Sequence, residues 1–376
     1  MLKRTFAIVK KEVRQLKRDV RLLFVMFFFP VFLLMIFGYA VNFDVKHIKI
    51  AVFDQERSKM SRDFVNLLQN SEYFDLVSYI NNYKEVDEYL DEKVAQCIVV
   101  IPKDLTKKIN SGRDVQIQYL IDGVDANTAA IIRNYVMAAT VLYNQKITVN
   151  ILARNGIQGF LPISLEPQFW FNPDLNTTKF LIPGLIAVIL IVTSVITVAL
   201  SFVREKERGT LEQLNVSSLS SIELILGKTF PFVIIALINA GFILIAGYIL
   251  FGVEVKGSLF LLFITTLIFI SASTSIGILV SVIADSQQFA FSLATFLSLL
   301  PSVILSGFIF PIESMPAAIQ VLTNVTPAKF FIVILRAIVL RGVGIAAFWE
   351  QVVYLLFFTL VLISLATVLS RRRIQT

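Results

Sequence analysis

The chain has 376 residues, of which 56% are hydrophobic and 16% are charged, whereas ordinary globular domains carry roughly 25% charged residues. Its mean hydropathy of +0.76 excludes an ordinary soluble protein of this size. The net charge of +7 matches the positive bias of membrane proteins on the cytoplasmic side, so it does not indicate a nucleic-acid partner. One cysteine and one histidine exclude an internal disulfide and argue against a metal site. The sequence therefore predicts a polytopic membrane protein.

The N-terminal segment is strongly basic. Residues 1–21 hold eight Lys or Arg, and apolar residues recur between them at steps of three and four. This pattern predicts a basic amphipathic helix at the cytoplasmic membrane interface. A signal-peptide n-region is the alternative, but the apolar run 22–41 is longer than a usual signal core and no clear cleavage site follows. We therefore predict that 22–41 is transmembrane helix 1, kinked at Pro30.

Residues 42–179 have the composition of a soluble domain. Apolar and alternating stretches predict strands at 47–54, 95–101 and 115–122. Short helices are predicted at 61–70, 84–92 and 104–110, and a longer one at 127–152. The alternation of strands and helices predicts an α/β domain with a mixed sheet, inserted between helices 1 and 2.

Five further apolar runs follow, in the segment 180–376. They lie at 180–203, 229–251, 259–283, 288–310 and 351–370. Each is close to the length that crosses about 30 Å of hydrocarbon, and six spans place both termini on one side. That side holds eight Lys or Arg in the N-terminal segment, four in the loop 204–228 and three in the tail, against four in the short segments opposite. We therefore predict cytoplasmic termini and an extracytoplasmic α/β domain.

The segment 311–350 contains an apolar stretch that is too short to span and carries Arg336. An arginine at the bilayer centre costs at least about 2.5–3.5 kcal/mol, and a seventh span would place the arginines of the tail outside. We therefore predict an outer re-entrant or interfacial segment, with a helix that begins at Ser314 as N-cap.

A charged island, residues 204–214, lies between the second and third spans. A charged cluster in an apolar chain is expected in water, where it could contact a soluble partner while joined to two transmembrane helices. The alternative is a solvated loop whose charges only set the topology. The chain has no phosphate-binding loop, and its spans lack the Asp, Glu or His of a proton-coupled carrier. Catalysis is therefore not expected, and energy for any transport must come from another subunit.

Two spans carry hydroxyl stripes at helical spacing. These are Thr193, Thr197 and Ser201 in the second span, and Ser292, Thr295, Ser298 and Ser302 in the fifth. Such a stripe could line a translocation path, or it could allow tight packing between helices. Ser273, Gly277 and Ser281 in the fourth span are a plainer pattern for close packing.

The order of these parts resembles the permease subunit of ABC-2 type exporters, in particular multidrug-type bacterial permeases with a large extracytoplasmic domain. The resemblance covers essentially the whole chain and is strongest in 205–214, continued by 222–228, and in 306–316. It departs from the family pattern at Ser217-Ser218, where such permeases commonly have Thr-Pro. The resemblance implies an ATPase-coupling region that includes Arg204, Glu205, Glu207, Arg208, Gly209, Thr210, Leu211, Glu212, Leu214, Gly227 and Lys228. It implies an outer re-entrant segment that includes Gly307, Pro311, Glu313, Pro316 and Arg336.

By this resemblance the chain is a transport permease of type V ABC exporter architecture in a bacterial inner membrane. Its implied partners are a second permease copy or paralogue, membrane lipids, and a pair of ABC ATPase subunits that bind ATP and Mg, while this chain has no cofactor. Whether a periplasmic adaptor joins them is left open. The expected cargo is a hydrophobic or amphipathic compound, drug-like or lipid-like. The alternative is a non-transporting, ABC-linked mechanotransmitter or membrane receptor that acts through its extracytoplasmic domain.

Overall fold

The computed structural model describes residues 2–40, 47–154, 171, 177–209 and 220–375. These fall into two compact units. The helical unit comprises Met1–Asn42 and Phe169–Thr376, and the sheet unit comprises Phe43–Gln168.

The chain begins in the helical unit, continues through the whole sheet unit and returns to the helical unit. The helical unit begins with α1 (Leu2–Arg18) and α2 (Val20–Ala40). The sheet unit follows with β1 (Ile48–Asp54), α3 (Lys59–Gln69), β2 (Phe74–Tyr79), α4 (Glu85–Asp91), β3 (Cys97–Ile101), α5 (Leu105–Asn110), β4 (Gln118–Ile121) and α6 (Ala126–Arg154). The helical unit resumes with α7 (Thr177–Glu207), α8 (Ser221–Phe251), α9 (Leu259–Ile283), α10 (Gln287–Ile304), α11 (Ala317–Leu322), α12 (Pro327–Arg336) and α13 (Trp349–Gln375).

The sheet unit is a four-stranded mixed sheet in the order β2-β1-β3-β4. β1 pairs in parallel with β2 and β3, and β3 pairs with β4 in the antiparallel sense. Every residue of β3 is buried, because helices cover both faces of the sheet. The mixed sheet agrees with the expectation from the sequence, which missed β2.

Six helices in the described part of the chain are long and apolar enough to cross a membrane. These are α2, α7, α8, α9, α10 and α13. Helix α10 ends at Ile304, earlier than the predicted limit of 310, and Gly307 adopts a positive φ of 76° just beyond it. That left-handed conformation suits glycine and turns the chain out of the helix direction.

The segment after α10 is broken into short turns of helix. α11 with the following turn and α12 with its π-helical extension, Ala337–Arg341, form a pair bent by 89°. Such a pair is either one broken span or a re-entrant loop, so the re-entrant assignment stays a prediction. The expected N-cap was wrong: the helix begins after Pro316, and no side chain caps it.

Helix α7 is the central element of the helical unit. It packs against α2, α8, α9, α10 and α12. In its most apolar stretch 67% of the residues are buried, against 11% in the corresponding stretch of α13. The glycine predicted for close packing is part of this arrangement, because a Cβ at Gly277 of α9 would lie 2.7 Å from the carbonyl oxygen of Val195 in α7. Serine neighbours Ser273 and Ser281 are buried on the same helix. α7 is therefore the helix through which movement at one end would reach most of the others.

Candidate functional site

Four charged side chains meet where α1, α7 and α8 come together, and we call Lys11, Glu12, Glu205 and Lys228 the charge cluster. Glu205 of α7 is 6% exposed and accepts hydrogen bonds from Lys11 of α1 and from Lys228 of α8, the latter at 2.5 Å. The Lys228 ammonium also lies 3.8 Å from the Glu12 carboxylate. The cluster therefore links three helices through two cations and two carboxylates.

Burial sets the electrostatics of the charge cluster. Lys228 has no exposed surface, and its ammonium also donates to the Ser201 carbonyl at 3.3 Å and lies 4.7 Å from the Phe202 ring centroid. Burial raises the pKa of Glu12, although the nearby Lys228 and Lys11 oppose the shift. Burial alone would lower the pKa of Lys11, but its hydrogen bond and attraction to Glu205 leave that pKa raised. Charges removed from water in this way are tolerated only when they are paired.

Close packing brings α1 to the charge cluster. A Cβ at Gly227 of α8 would lie 2.8 Å from the Cβ of Ile8, so only glycine leaves room for α1 at this distance. The capping box of Ser220 and Glu223 fixes the start of α8 less than two turns before Gly227. The sequence thereby positions Lys228 one residue after the point of closest approach.

A second set of contacts ties the end of α7 to the turn between α9 and α10. The Lys206 ammonium donates to the Ala284 carbonyl at 2.9 Å and to Asp285 at 2.5 Å. Glu207 accepts a hydrogen bond from the backbone N–H of Gln287 at 2.6 Å. The side chain of Arg204 donates to Gln287 at 3.4 Å. The end of α7 is therefore bonded both to α1 and α8 and to the α9–α10 turn.

The structure corrects the expectation that the whole charged island lies in water. Glu205 is buried, whereas Arg208 and Gly209 are exposed. Gly209 has a φ of +68° and its N–H donates to the Lys206 carbonyl, which ends the helix. Four other residues assigned to coupling lie outside the described residues: Thr210, Leu211, Glu212 and Leu214.

A cavity of about 560 Å³ lies within the helical unit beside the charge cluster. Its lining comes from α1, α2, α7 and α8, with Phe291 of α10. The lining combines charged side chains, the hydroxyls of α7 and apolar groups such as Met26 and Phe29. The cavity is therefore amphipathic.

The structure separates the two predicted hydroxyl stripes. Thr193, Thr197 and Ser201 line the cavity. The other stripe, Ser292, Thr295, Ser298 and Ser302, is absent from the cavity lining. Ser298 and Ser302 have no exposed surface, and the Ser298 hydroxyl donates to the Ala294 carbonyl of its own helix. The packing alternative fits these two serines.

The predicted outer segment centres on Arg336. Its Nη1 donates to the Gly307 carbonyl at 3.2 Å, and its guanidinium lies 3.8 Å from the Phe180 ring centroid. Two further members, Glu313 and Pro316, are exposed in the turns before α11, as is Pro311. The structure brings Arg336 and Gly307 together.

Sequence reasoning missed the partners that complete the site. Glu12 is the only acidic residue of α1, and Asn239 is a rare amide within the apolar α8. Both are unusual enough in their segments to have served as signals. Among the residues that the structure describes, no group of three or more His, Cys, Asp or Glu could hold a metal ion.

Comparison with known proteins identifies the family. The model of the ABC-2 family transporter proteins matches residues 20–368. The probable multidrug ABC transporter permease YbhS of Escherichia coli is 30% identical over 99% of this chain and 98% of its own length. The probable multidrug ABC transporter permease YbhR of the same organism is 28% identical over the full length of both chains. The inner membrane transport permease YhhJ, also of Escherichia coli, is 28% identical over 84% of each.

A bundle of apolar helices with a central α7 defines a multi-pass membrane protein. The chain belongs to the ABC-2 transporter family, as the family match and the full-length relatives show. It is thus the membrane permease component of an ABC transporter and not itself an enzyme.

Proposed function

We propose that this chain is the permease subunit of an exporter that moves a hydrophobic or amphipathic compound out of the cytoplasm or the inner leaflet. A separate pair of ABC ATPase subunits supplies the energy and binds ATP and Mg. The multidrug permeases among the relatives support the cargo class, and the amphipathic cavity supports transport by offering such a compound a site. The setting is a bacterial inner membrane, with both termini in the cytoplasm and the sheet unit outside.

The observation that carries this proposal is the bonding at the end of α7. Glu205 joins α7 to α1 and α8, and Lys206 joins it to the α9–α10 turn. Both residues lie in the charged island 204–214, which holds most of the predicted coupling residues, and within four positions of Gly209 at the end of α7. A displacement of that segment by the ATPase would therefore be transmitted to α1, α8, α9 and α10 through hydrogen bonds and ion pairs as well as through the backbone.

The proposed assembly contains a second permease, which is either another copy or a paralogue. Exposed large apolar side chains on α2, α10 and α13, such as Phe28, Phe296 and Phe357, suit contact with lipid or with a partner helix.

The test is to express the tagged chain with the products of its neighbouring genes, to purify any complex with an ATPase, and to measure export of an amphiphilic dye into vesicles. We expect co-elution, ATP hydrolysis stimulated by the dye, and export. Glu212→Lys and Gly209→Pro are expected to weaken docking and export. Glu254→Lys is the matched control, because it makes the same charge reversal at an exposed site in the α8–α9 turn. Undiminished docking and export in both coupling variants would refute the coupling assignment.

A non-transporting mechanotransmitter or receptor is the second candidate. The sheet unit favours it, because this unit has its own buried cores and could act on an extracytoplasmic partner independently. This candidate predicts ATP hydrolysis that responds to a protein partner and not to the dye. Dye-stimulated hydrolysis together with export would exclude it.

A further inference from the structure

Two buried polar side chains in the cavity lining have atoms without a partner among the residues that the structure describes. The Ser194 hydroxyl and the Asn239 carbonyl oxygen form no hydrogen bond with any of these residues, although each is only 4% exposed. The other end of the Asn239 amide donates to the Met26 carbonyl at 3.0 Å, which fixes its orientation. Leaving such groups unpaired in a buried site is unfavourable, because they lose their hydrogen bonds to water without replacement. They mark a position where a polar group of a ligand would find partners.

The charged part of the cavity favours a ligand of negative charge. Its three carboxylates are engaged: Glu205 and Glu12 each with Lys11 and Lys228, and Asp19 with Arg204 at 3.9 Å. Arg18 and Arg208 also line the cavity, and both are exposed. Neither forms an ion pair with any residue that the structure describes. The available charge at the cavity is therefore positive.

The size and polarity of the cavity limit its ligand further. A volume near 560 Å³ lies within the range of about 300–1,000 Å³ typical of pockets for drug-sized molecules. The α2 side chains Met26, Phe29 and Pro30 provide an apolar wall for a hydrocarbon chain or ring. The Thr193 and Thr197 hydroxyls are already bonded to carbonyls of α7, so they do not compete for the ligand.

We propose that this cavity binds the compound that the protein exports, and that this compound is an anionic amphiphile of drug size. Its anionic group binds at Arg18 and Arg208, its apolar part lies along the α2 wall, and a second polar group of the compound meets Ser194 and Asn239. The inference rests on the proposed function for its reference to transport, but the binding site can be tested without the ATPase. The ligand class includes alkyl phosphates, sulfates and carboxylates.

The binding test uses the purified chain in nanodiscs of phosphatidylcholine, with radiolabelled dodecyl phosphate as the probe. Dodecyltrimethylammonium has the same alkyl chain and the opposite charge, and it is expected to bind roughly tenfold more weakly or not at all. The double variant Arg18→Gln/Arg208→Gln should weaken dodecyl phosphate binding about tenfold, because each guanidinium contributes a charge-assisted contact. The control Lys10→Gln/Arg14→Gln removes two exposed charges of α1 that do not line the cavity, and it should leave binding unchanged.

A second pair of variants tests the apolar part. Ala236→Phe places a ring into the cavity and should abolish binding, whereas Ser194→Ala removes a hydroxyl that the dodecyl chain does not use and should leave binding of this probe unchanged. An unchanged thermal transition would show that either variant is folded. Equal binding of the two probes, or binding that is insensitive to both the arginine pair and Ala236→Phe, would overturn the proposal.

Export assays then separate this inference from the proposed function. If the ATPase complex exports a neutral dye while dodecyl phosphate does not bind in the cavity, the inference fails and the function stands. If dodecyl phosphate binds as expected but no compound is exported, the assignment of the cavity to transported cargo is overturned together with the function. Export of dodecyl phosphate that is lost in Arg18→Gln, with ATPase docking unchanged, would support both.

Discussion

Lys228 is the most deeply buried charge among the residues that the structure describes, and its environment explains why it is tolerated. It has no exposed surface, but Glu205, Glu12 and the Ser201 carbonyl surround its ammonium. A buried ion pair adds little net stability when it is complete, because desolvation offsets the attraction. Removing one partner is costly, because an uncompensated charge then stays buried. The charge cluster is therefore sensitive to its balance of charge.

Lys228→Met should destabilise the protein severely, by about 3–5 kcal/mol, because it leaves Glu12 and Glu205 with Lys11 alone. The measurement is the apparent Tm of the purified chain in detergent. Adding Glu12→Gln restores the balance, so the double variant should recover part of the loss. Lys10→Met, at an exposed position of α1, is the control. A Lys228→Met variant as stable as the wild type would contradict the account given of the cluster.

Glu12 should make stability depend on pH. Its pKa in the folded protein is raised by burial above the ordinary value of 4.5, so the folded state binds its proton more tightly than the unfolded state. This contribution is fully present below the unfolded pKa and is lost as pH rises through the folded pKa. Relative to Glu12→Gln, the wild type should therefore gain apparent Tm as pH falls from 7 towards about 4.5. Glu254→Gln, at an exposed site, should show no such trend.

At the scale of elements, the α1–α8 contact depends on the absence of a side chain at Gly227. Gly227→Ala places a Cβ 2.8 Å from that of Ile8, so α1 must move away. Overpacking of this kind costs about 1–3 kcal/mol. We expect faster trypsin cleavage at the basic residues of α1 and a lower apparent Tm.

Gly241→Ala is the matched control, because it lies on the same helix and its Cβ would meet no atom within 4 Å. Alanine favours helix over glycine by about 1 kcal/mol, so this variant should be neutral or more stable. Equal behaviour of the two variants would mean that helix propensity, and not the approach of α1, decides the outcome.

The sequence predicted the elements better than it predicted the site. Long apolar runs fix the membrane helices because only a helix of that length satisfies its backbone across the bilayer. β2 was missed because it is an edge strand whose Asp75 and Ser78 interrupt the apolar pattern. The charge cluster was missed because Lys11 and Glu205 are 194 positions apart, and no local pattern reports such a pairing. Distances of that kind are set only when the helices pack.

At the scale of the whole molecule, the topology can be tested with the native cysteine left in place. Cys97 is buried in β3, and burial raises the pKa of its thiol to about 12. The thiolate is the reactive form, so the wild type should not react with a membrane-impermeant maleimide. With the sheet unit outside, Ser111→Cys should react in intact cells. Lys10→Cys should react only after permeabilisation, and the reverse pattern would invert the proposed orientation.

The joined end of α7 restricts how this protein can move. α7 has 31 residues and is therefore about 46 Å long, which exceeds the hydrocarbon thickness of about 30 Å. A screw displacement of α7 by one residue relative to α8 would move Glu205 by about 1.5 Å and turn it about 100° away from Lys228, breaking a contact of 2.5 Å. Such slippage of α7 against α8 is therefore unfavourable. A tilt of α7 preserves the contact, and α1 and α8 then move together with the end of α7 that carries Glu205.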